Sequence, residues 1–169
     1  MKPLEAHMGM YTAYHRDRVN RVIHFVMVPA IVWTLMVALD LVILTEGISL
    51  AFPIVGALLI WYLMMDFALG VATTVVYTVL LVTAITLNET LNDASTSLLI
   101  AGGVFVASWV FQFLGHGLFE KRRPALMDNL LQVFIAPMFI VAETAFGFGF
   151  KKDLQERVED VAKEHARAA

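Results

Sequence analysis

The sequence predicts an all-α, membrane-embedded helical bundle of four spanning helices plus a re-entrant or short fifth hydrophobic segment. The first observation is composition. Of the 169 residues, 59% are hydrophobic and 16% are charged, with a mean hydropathy of +0.74, whereas soluble domains are about half apolar and a quarter charged. The second observation is the clustering of charges, which leaves long uncharged stretches. The third is the distribution of lysine and arginine, which fall on one side of the predicted bundle.

Four stretches carry no residue that is formally charged at neutral pH, and each has at least 18 residues: 22–39, 47–65, 67–88 and 94–119. Roughly 20 apolar residues are needed for an α-helix to cross about 30 Å of hydrocarbon. Each stretch therefore predicts one membrane-spanning helix, and we expect an integral multi-pass membrane protein.

A fifth uncharged stretch, residues 129–142, has only 14 residues and contains Pro137. This length is typical of re-entrant or interfacial segments as well as of buried helices, so we expect a non-spanning hairpin. Residues 151–169 place apolar side chains at helical spacing among charges, which predicts an amphipathic helix lying on the membrane surface or on the protein. The expected organisation is a single membrane-embedded domain over residues 1–150 and a tail helix over residues 151–169.

The orientation follows from lysine and arginine, which lie before the first predicted span, after the fourth and in the tail, and are absent from the three connections between spans. Because these residues favour cytoplasmic segments, we expect both termini in the cytoplasm. The host membrane would be a bacterial inner membrane or the endoplasmic reticulum membrane. No cleavable signal peptide is visible, so the first span is expected to direct insertion. The net charge of −3 predicts no nucleic-acid partner.

The fourth predicted span ends in FLGHGLFEKRRP, residues 113–124, which raises the question of what its polar residues do. His116 and Glu120 are four residues apart, so on a continuous helix they project from one face, about 40° apart. They could bind one ligand together. In the alternative interpretation, Glu120 extends to the membrane interface and pairs with Lys121 or Arg122, beside an interfacial histidine.

A second polar cluster precedes the first predicted span and contains Tyr14, His15, Asn20 and His24. Asn20 and His24 are again four residues apart, whereas His15 would point to the opposite side of one unbroken helix. Both histidines can face one site if the chain turns between them, and Asp17 is a suitable N-cap for a helix that begins there. Because four spans return the chain to the same membrane face, the two clusters are expected to meet at the cytoplasmic side.

Three imidazoles and a carboxylate, in a chain without cysteine, suit a divalent metal such as iron or zinc. Asn20 could be a further ligand, or could orient a ligating histidine by a hydrogen bond. Two other classes of protein stay open from the residues alone. One is a membrane electron carrier that binds haem through His24 and His116. The other is a small ion-coupled or proton-coupled transporter that uses the histidine cluster.

Three motifs carry a resemblance to a known family: YHRDRVNRVIH with a proline five residues later, QFLGHGLFEKRRPALMDNL, and IAPMFIVAE. They resemble the fungal-type 2-hydroxy fatty acid dioxygenases, multi-pass membrane proteins that convert phytosphingosine to odd-numbered fatty acids. The resemblance covers about residues 10–150, and its GHGLFEKRRPALMDN block is specific. It implies an enzyme that depends on ferrous iron, Fe(II), and uses dioxygen to convert a 2-hydroxy long-chain fatty acid in the lipid bilayer into a product one carbon shorter.

The resemblance matches His15, His24 and His116 to the family's histidines, and it matches Asn20 and Glu120 to other motif positions. The expected metal ligands are His15, His24, His116, Glu120 and Asn20. Residues 86–93 contain no histidine, so a fourth histidine ligand found there in some relatives is absent. Substrate contacts are expected from Arg122, Arg123 and Tyr14, because an arginine fork matches a carboxylate; the alternative for the two arginines is a topology signal. Hydrogen-bonding support for the ligands is expected from Glu143 and Asn129.

Overall fold

The computed structural model describes residues 4–121 and 124–168. In these residues the α-helices are α1 (Leu4–Tyr14), α2 (Arg18–Asp40), α3 (Ala51–Met65), α4 (Phe67–Leu91), α5 (Ala94–Gly115), α6 (Leu131–Gly147) and α7 (Lys152–Ala168). A π-helical turn, His116–Glu120, extends α5, and a 3-10 turn, Ala125–Met127, precedes α6. A hairpin of β1 (Ile43–Thr45) and β2 (Ile48–Ser49) connects α2 to α3. The chain forms two compact units, the first from Met1–Phe25 with Gln112–Ala169 and the second from Val26–Phe111.

Among the described residues, three helices are long and apolar enough to cross a membrane: α2, α4, and α5 together with its π-helical turn. They coincide with the first, third and fourth predicted spans. Large apolar side chains on these helices remain exposed, including Val75 at 62%, Leu99 at 77% and Val106 at 62%. A contiguous apolar surface of this kind is stable where lipid rather than water covers it. The helical class and the membrane location are therefore confirmed.

The second predicted span, residues 47–65, forms a shorter helix than expected. The 15 residues of α3 reach roughly 22 Å at about 1.5 Å per residue, less than the ~30 Å of a hydrocarbon core. The start of the stretch belongs instead to the hairpin, whose turn contains Gly47 at a φ of 75°, a conformation that glycine adopts readily. Four full-length spans are thus not confirmed. Hydropathy could not reveal the hairpin, because Ile48 and Leu50 are as apolar as the residues of a spanning helix.

In the second unit α3 and α4 pack against each other and are separated only by Asp66. The Asp66 carboxylate accepts a hydrogen bond from the Leu69 N–H at 3.0 Å, which caps α4. Gly70 allows the close approach, because a Cβ at this position would lie 2.7 Å from the Cα of Leu63. The two helices therefore pack as a tight antiparallel pair.

The first unit is built around α1, which contacts both α6 and α7. Its core contains the buried side chains of Met8, Tyr11, Ile135, Met138, Val158 and Ala162. Gly9 lets α7 approach closely, since a Cβ there would lie 2.5 Å from Val161 Cγ1. This packing fixes the position of α1, which immediately precedes the first polar cluster predicted from the sequence.

The fifth hydrophobic segment and the tail are both single helices. Residues 129–142 contribute to α6, which continues through Pro137, so the segment is a short helix and the expected hairpin is wrong. The Asn129 side chain accepts a hydrogen bond from the Leu131 N–H at 3.0 Å, just before the helix, whose N-cap residue is Leu130. The tail forms α7 (Lys152–Ala168), which lies on the protein against α1. The predicted domain boundary at residue 150 stays a prediction.

Candidate metal centre

The turn between α1 and α2 brings the first two histidines together. α1 ends at Tyr14 and α2 begins at Arg18, and the Asp17 carboxylate accepts hydrogen bonds from the backbone N–H groups of Val19 at 2.7 Å and of residue 20 at 3.2 Å. These are N-cap contacts. The predicted chain turn and the predicted cap are both confirmed, and they allow His15 and His24 to face one site.

The third histidine comes from the end of α5, where the helix widens into a π-helical turn. His116 begins this turn and is 2% exposed, and Lys121 ends it in the left-handed conformation at a φ of 52°. The helix is continuous from His116 to Glu120, but this part is a π-helical turn and not the α-helical turn assumed for the 40° separation. Single π-helical turns are frequent at functional sites because they reorient the side chains on one turn.

The three imidazole rings form one buried group. Their ring centroids are 4.4 Å apart for His15 and His24, 4.7 Å for His15 and His116, and 5.0 Å for His24 and His116. One nitrogen from each ring lies within 4.8 Å of the others. The three side chains are at most 5% exposed. The structure thus brings together the three histidines that the sequence proposed as ligands.

The hydrogen bonds of His15 and His24 determine which nitrogens face the centre. Nδ1 of His15 lies 2.7 Å from the Tyr11 carbonyl oxygen, and Nδ1 of His24 lies 2.9 Å from the carbonyl oxygen of residue 20. A carbonyl only accepts, so each Nδ1 carries the proton and each Nε2 presents a lone pair. Backbone carbonyls commonly hold metal-binding histidines in this way.

The two Nε2 atoms lie 3.2 Å apart. Burial, and next the neighbouring His24, lower the pKa of His15 well below its usual value of 6.5, so this ring is neutral at physiological pH. Two lone pairs at this distance repel each other unless a cation accepts both. His116 Nδ1 is also buried and has no hydrogen-bond partner among the described residues. A divalent metal ion fits this donor set, which is neutral, buried and rich in imidazole nitrogen.

Glu120 and Asn20 are connected to the turn that carries His15. Glu120 Oε1 accepts a hydrogen bond from the Asp17 N–H at 2.9 Å and another from Asn20 Nδ2 at 3.1 Å. Gly115 makes room for Asn20, because a Cβ at residue 115 would collide with Asn20 Oδ1. The group of possible ligands within 4.8 Å contains the three histidines alone among the described residues. The ligand roles of Glu120 and Asn20 stay predictions.

The remaining predicted site residues have other partners. The Tyr14 hydroxyl donates a hydrogen bond to the Asp128 carboxylate, and the Asn129 side chain accepts one from the Leu131 N–H. Glu143 forms an ion pair with Arg21 and lines a small cavity beside His15 and His24. The proposed roles of these residues stay predictions, and Arg122 and Arg123 lie outside the described residues.

Sequence reasoning missed three residues of the site. The Tyr11 ring stacks on His15 at a centroid distance of 3.9 Å and an interplanar angle of 8°, and Phe139 packs against Tyr11 at 4.4 Å. Arg21 was interpreted only as a topology signal. The four-residue spacing of Tyr11 and His15 was an available signal, whereas nothing in the sequence relates Arg21 to Glu143, 122 positions away.

The fold and the site define a helical membrane protein with a buried three-histidine group suited to a metal ion. The chain belongs to the Mpo1-like family, described as 2-hydroxy-palmitic acid dioxygenase Mpo1-like, whose family model matches residues 1–148. It is similar to the 2-hydroxy-palmitic acid dioxygenase MPO1 of Saccharomyces cerevisiae, with 35% identity over 159 residues that cover 92% of this chain and 87% of the relative. No solved structure matches the chain significantly.

Proposed function

We propose that this chain is an Fe(II)-dependent membrane dioxygenase that shortens 2-hydroxy fatty acids by one carbon. The observation that carries the proposal is the pair of neutral, buried Nε2 atoms of His15 and His24, 3.2 Å apart, completed by His116. The family membership and the name of the yeast relative support a 2-hydroxy fatty acid as the substrate class. For a 2-hydroxy acid and one dioxygen molecule, the balanced products are the acid one carbon shorter, carbon dioxide and water.

His15, His24 and His116 would hold the iron. Sites of imidazole and carboxylate ligands with open positions are typical of non-haem Fe(II) oxygenases. When bound, ferrous iron supplies the one-electron chemistry that lets dioxygen react with an organic substrate. Glu120, as a further ligand, would use Oε2, because its Oε1 already accepts two hydrogen bonds.

Residues of the chain pre-organise this site for substrate. The backbone carbonyls of Tyr11 and residue 20 fix the tautomer and direction of two imidazoles, and the stacked Tyr11 ring holds the His15 plane. Burial of all three rings excludes bulk water, which limits side reactions of reactive intermediates. The acyl chain of the substrate would remain among apolar side chains.

The site also supports an even number of membrane crossings. His24 lies near the start of α2 and His116 follows α5, yet their ring centroids are 5.0 Å apart. Three crossings would separate them by about 30 Å, whereas four crossings, with α3 as the second, return the chain to the same face. A short α3 would cross with local thinning of the bilayer. With four crossings, the cation pattern supports a site and both termini on the cytoplasmic side of a bacterial inner membrane or the endoplasmic reticulum membrane.

The geometry does not favour haem. The three imidazole rings have centroids 4.4 to 5.0 Å apart, which is direct ring contact. A porphyrin must lie between two axial histidines, and no gap of that kind separates any two of these rings. A metal ion is far smaller than a porphyrin and needs only the space between the imidazole nitrogens.

The proposal is tested with the full-length protein purified in detergent and loaded with Fe(II) under anaerobic conditions. We expect near-stoichiometric iron, and oxygen uptake with 2-hydroxyhexadecanoate but not with hexadecanoate. His24→Ala should lose both the iron and the oxygen uptake, whereas His165→Ala, which changes an exposed histidine on α7, should retain both. A wild-type protein that binds no iron after reconstitution would contradict the proposal.

A further inference from the structure

Arg21 and Glu143 form an ion pair beside the histidine group. Arg21 lies on α2 between Asn20 and His24, and Glu143 lies on α6. The Arg21 side chain is 45% exposed, but the Glu143 side chain is only 11% exposed. A carboxylate buried in an otherwise apolar helix is costly to keep charged unless it is paired, so its position calls for an explanation.

The geometry of the pair leaves the guanidinium incompletely matched. Arg21 Nε donates to Glu143 Oε2 at 2.8 Å, and Arg21 Nη2 donates to the same oxygen. An arginine fork is satisfied best when its two parallel N–H groups meet two separate oxygens of one carboxylate. A carboxylate that approaches end-on can offer both oxygens, which Glu143 does not do from its place on α6.

The same two residues line two cavities. A cavity of about 180 Å³ is lined by Thr12, Arg21, Glu143, Phe146, Gln155 and Glu159, among others. A cavity of about 10 Å³, at the lower limit for one water molecule, is lined by Tyr11, His15, Arg21, His24, Phe139 and Glu143, among others. Arg21 and Glu143 therefore face the larger cavity on one side and the imidazole rings on the other.

We propose that Arg21 binds the carboxylate of the substrate, and that Glu143 occupies the guanidinium until the substrate carboxylate replaces it. This inference rests on the proposed function. A 2-hydroxy acid with its carboxylate on Arg21 brings the adjacent hydroxyl-bearing carbon towards His15 and His24. When Glu143 leaves the guanidinium, its side chain can turn into the larger cavity. This movement connects the two cavities. Arg21 then performs the role that the sequence assigned to Arg122 and Arg123.

The lining of the larger cavity contains a second carboxylate, Glu159 of α7, which pairs with Arg16 at 3.1 Å. The Glu159 charge still acts on Glu143, and its Arg16 partner offsets part of it. Arg21 is the cation of the lining residues that the structure describes, and Glu143 is the carboxylate that occupies it. Removal of the Glu143 charge should therefore favour anion binding, whereas removal of the Arg21 charge should weaken it.

The test measures ligand binding under anaerobic conditions, where no turnover occurs, with purified full-length protein in detergent. Calorimetric titrations compare 2-hydroxyhexadecanoate with hexadecane-1,2-diol, which has the hydroxyl group but no carboxylate. We expect Arg21→Gln to weaken binding of the acid by about tenfold to a hundredfold, the usual range for charged hydrogen bonds, and to leave binding of the diol unchanged. Arg157→Gln, at an exposed arginine of α7, is the matched control and should behave as the wild type.

Two further variants separate substrate binding from a purely structural ion pair. Glu143→Gln should bind the acid as tightly as the wild type or more tightly, because the competing charge is gone. Arg21→Lys should lose part of the acid binding, because lysine keeps the charge without the two-pronged guanidinium. If Arg21→Gln does not fold, Glu143→Gln and Arg21→Lys distinguish substrate binding from a structural ion pair. An ion pair that only joins α2 to α6 predicts instead that Arg21→Gln and Glu143→Gln weaken acid and diol alike.

Either of two results would overturn this inference. One is equal weakening of both ligands in both variants. The other is loss of the acid preference in Arg122→Gln or Arg123→Gln while Arg21→Gln retains it. Failure of the proposed function looks different, since the wild type would then bind no iron and consume no oxygen, whatever its preference between the two ligands.

Discussion

The amide of Asn20 donates a hydrogen bond to the carboxylate of Glu120, 3.1 Å away, across 100 positions of sequence. The same Glu120 oxygen accepts the N–H of Asp17, the residue that caps α2. One carboxylate oxygen thus ties the end of α5 to the turn that separates His15 from His24. The two polar motifs of the sequence are therefore joined by hydrogen bonds as well as by their histidines.

This connection predicts different effects for two substitutions of Glu120. Glu120→Ala leaves two N–H groups without their acceptor, at a cost of about 1–3 kcal/mol each if they stay buried, and should reduce iron retention together with the thermal midpoint. Glu120→Gln keeps a carbonyl oxygen for both donors and should retain most of the iron. Metal analysis and thermal unfolding check this, with the exposed Glu46→Ala as the control. Equal iron loss in both variants would identify the charged carboxylate as a ligand.

Gly115 predicts a steric effect next to the metal centre. In Gly115→Ala the new Cβ collides with Asn20 Oδ1, which should cost about 1–3 kcal/mol, the usual range for overpacking, and lower iron content. Gly117→Ala is the matched control, because a Cβ there meets no atom within 4 Å. The measurements are thermal midpoints in detergent and iron per chain. Similar behaviour of the two variants would argue against the close approach of Asn20.

The buried His15 predicts a pH dependence of the metal-free protein. Its pKa in the folded state is lowered from 6.5, first by burial, so below about pH 6.5 the unfolded chain binds a proton that the folded chain does not. Stability is therefore complete above about pH 6.5 and falls as the pH decreases towards the folded pKa, by up to about 1.4 kcal/mol per pH unit. Denaturation at several pH values checks this. His15→Gln should reduce the slope, and the exposed His165→Gln should not.

The close packing of α1 and α7 predicts a rescue experiment. Gly9→Ala introduces a Cβ that would lie 2.5 Å from Val161 Cγ1, so it should displace α7 and speed proteolysis of the tail. Val161→Gly removes both colliding atoms, Cγ1 at 2.5 Å and Cβ at 2.6 Å, and the double variant should recover part of the protection. Mass spectrometry of limited digests measures the effect. If the double variant is as sensitive as Gly9→Ala, the contact does not hold the tail.

The sequence by itself determined the membrane class and the three histidines of the candidate metal centre. Hydropathy reports how each segment partitions between water and lipid, so α2, α4 and α5 could be predicted from uncharged length alone. The cap at Asp17 and the turn beside it are local, and they could be predicted from residue types. The grouping of His15, His24 and His116 was predicted from a count of four membrane crossings, and that count stays a prediction.

Only the tertiary structure decided the contacts between distant segments. The hairpin that shortens α3, the bond from Asn20 to Glu120, the stacking of Tyr11 on His15 and the pair of Arg21 with Glu143 all depend on how helices pack. Periodicity indicates which face of a helix is apolar, but it does not say which residue of another helix meets that face. Close packing selects those partners, because each side chain must fit the volume and the hydrogen-bonding groups that its neighbours leave.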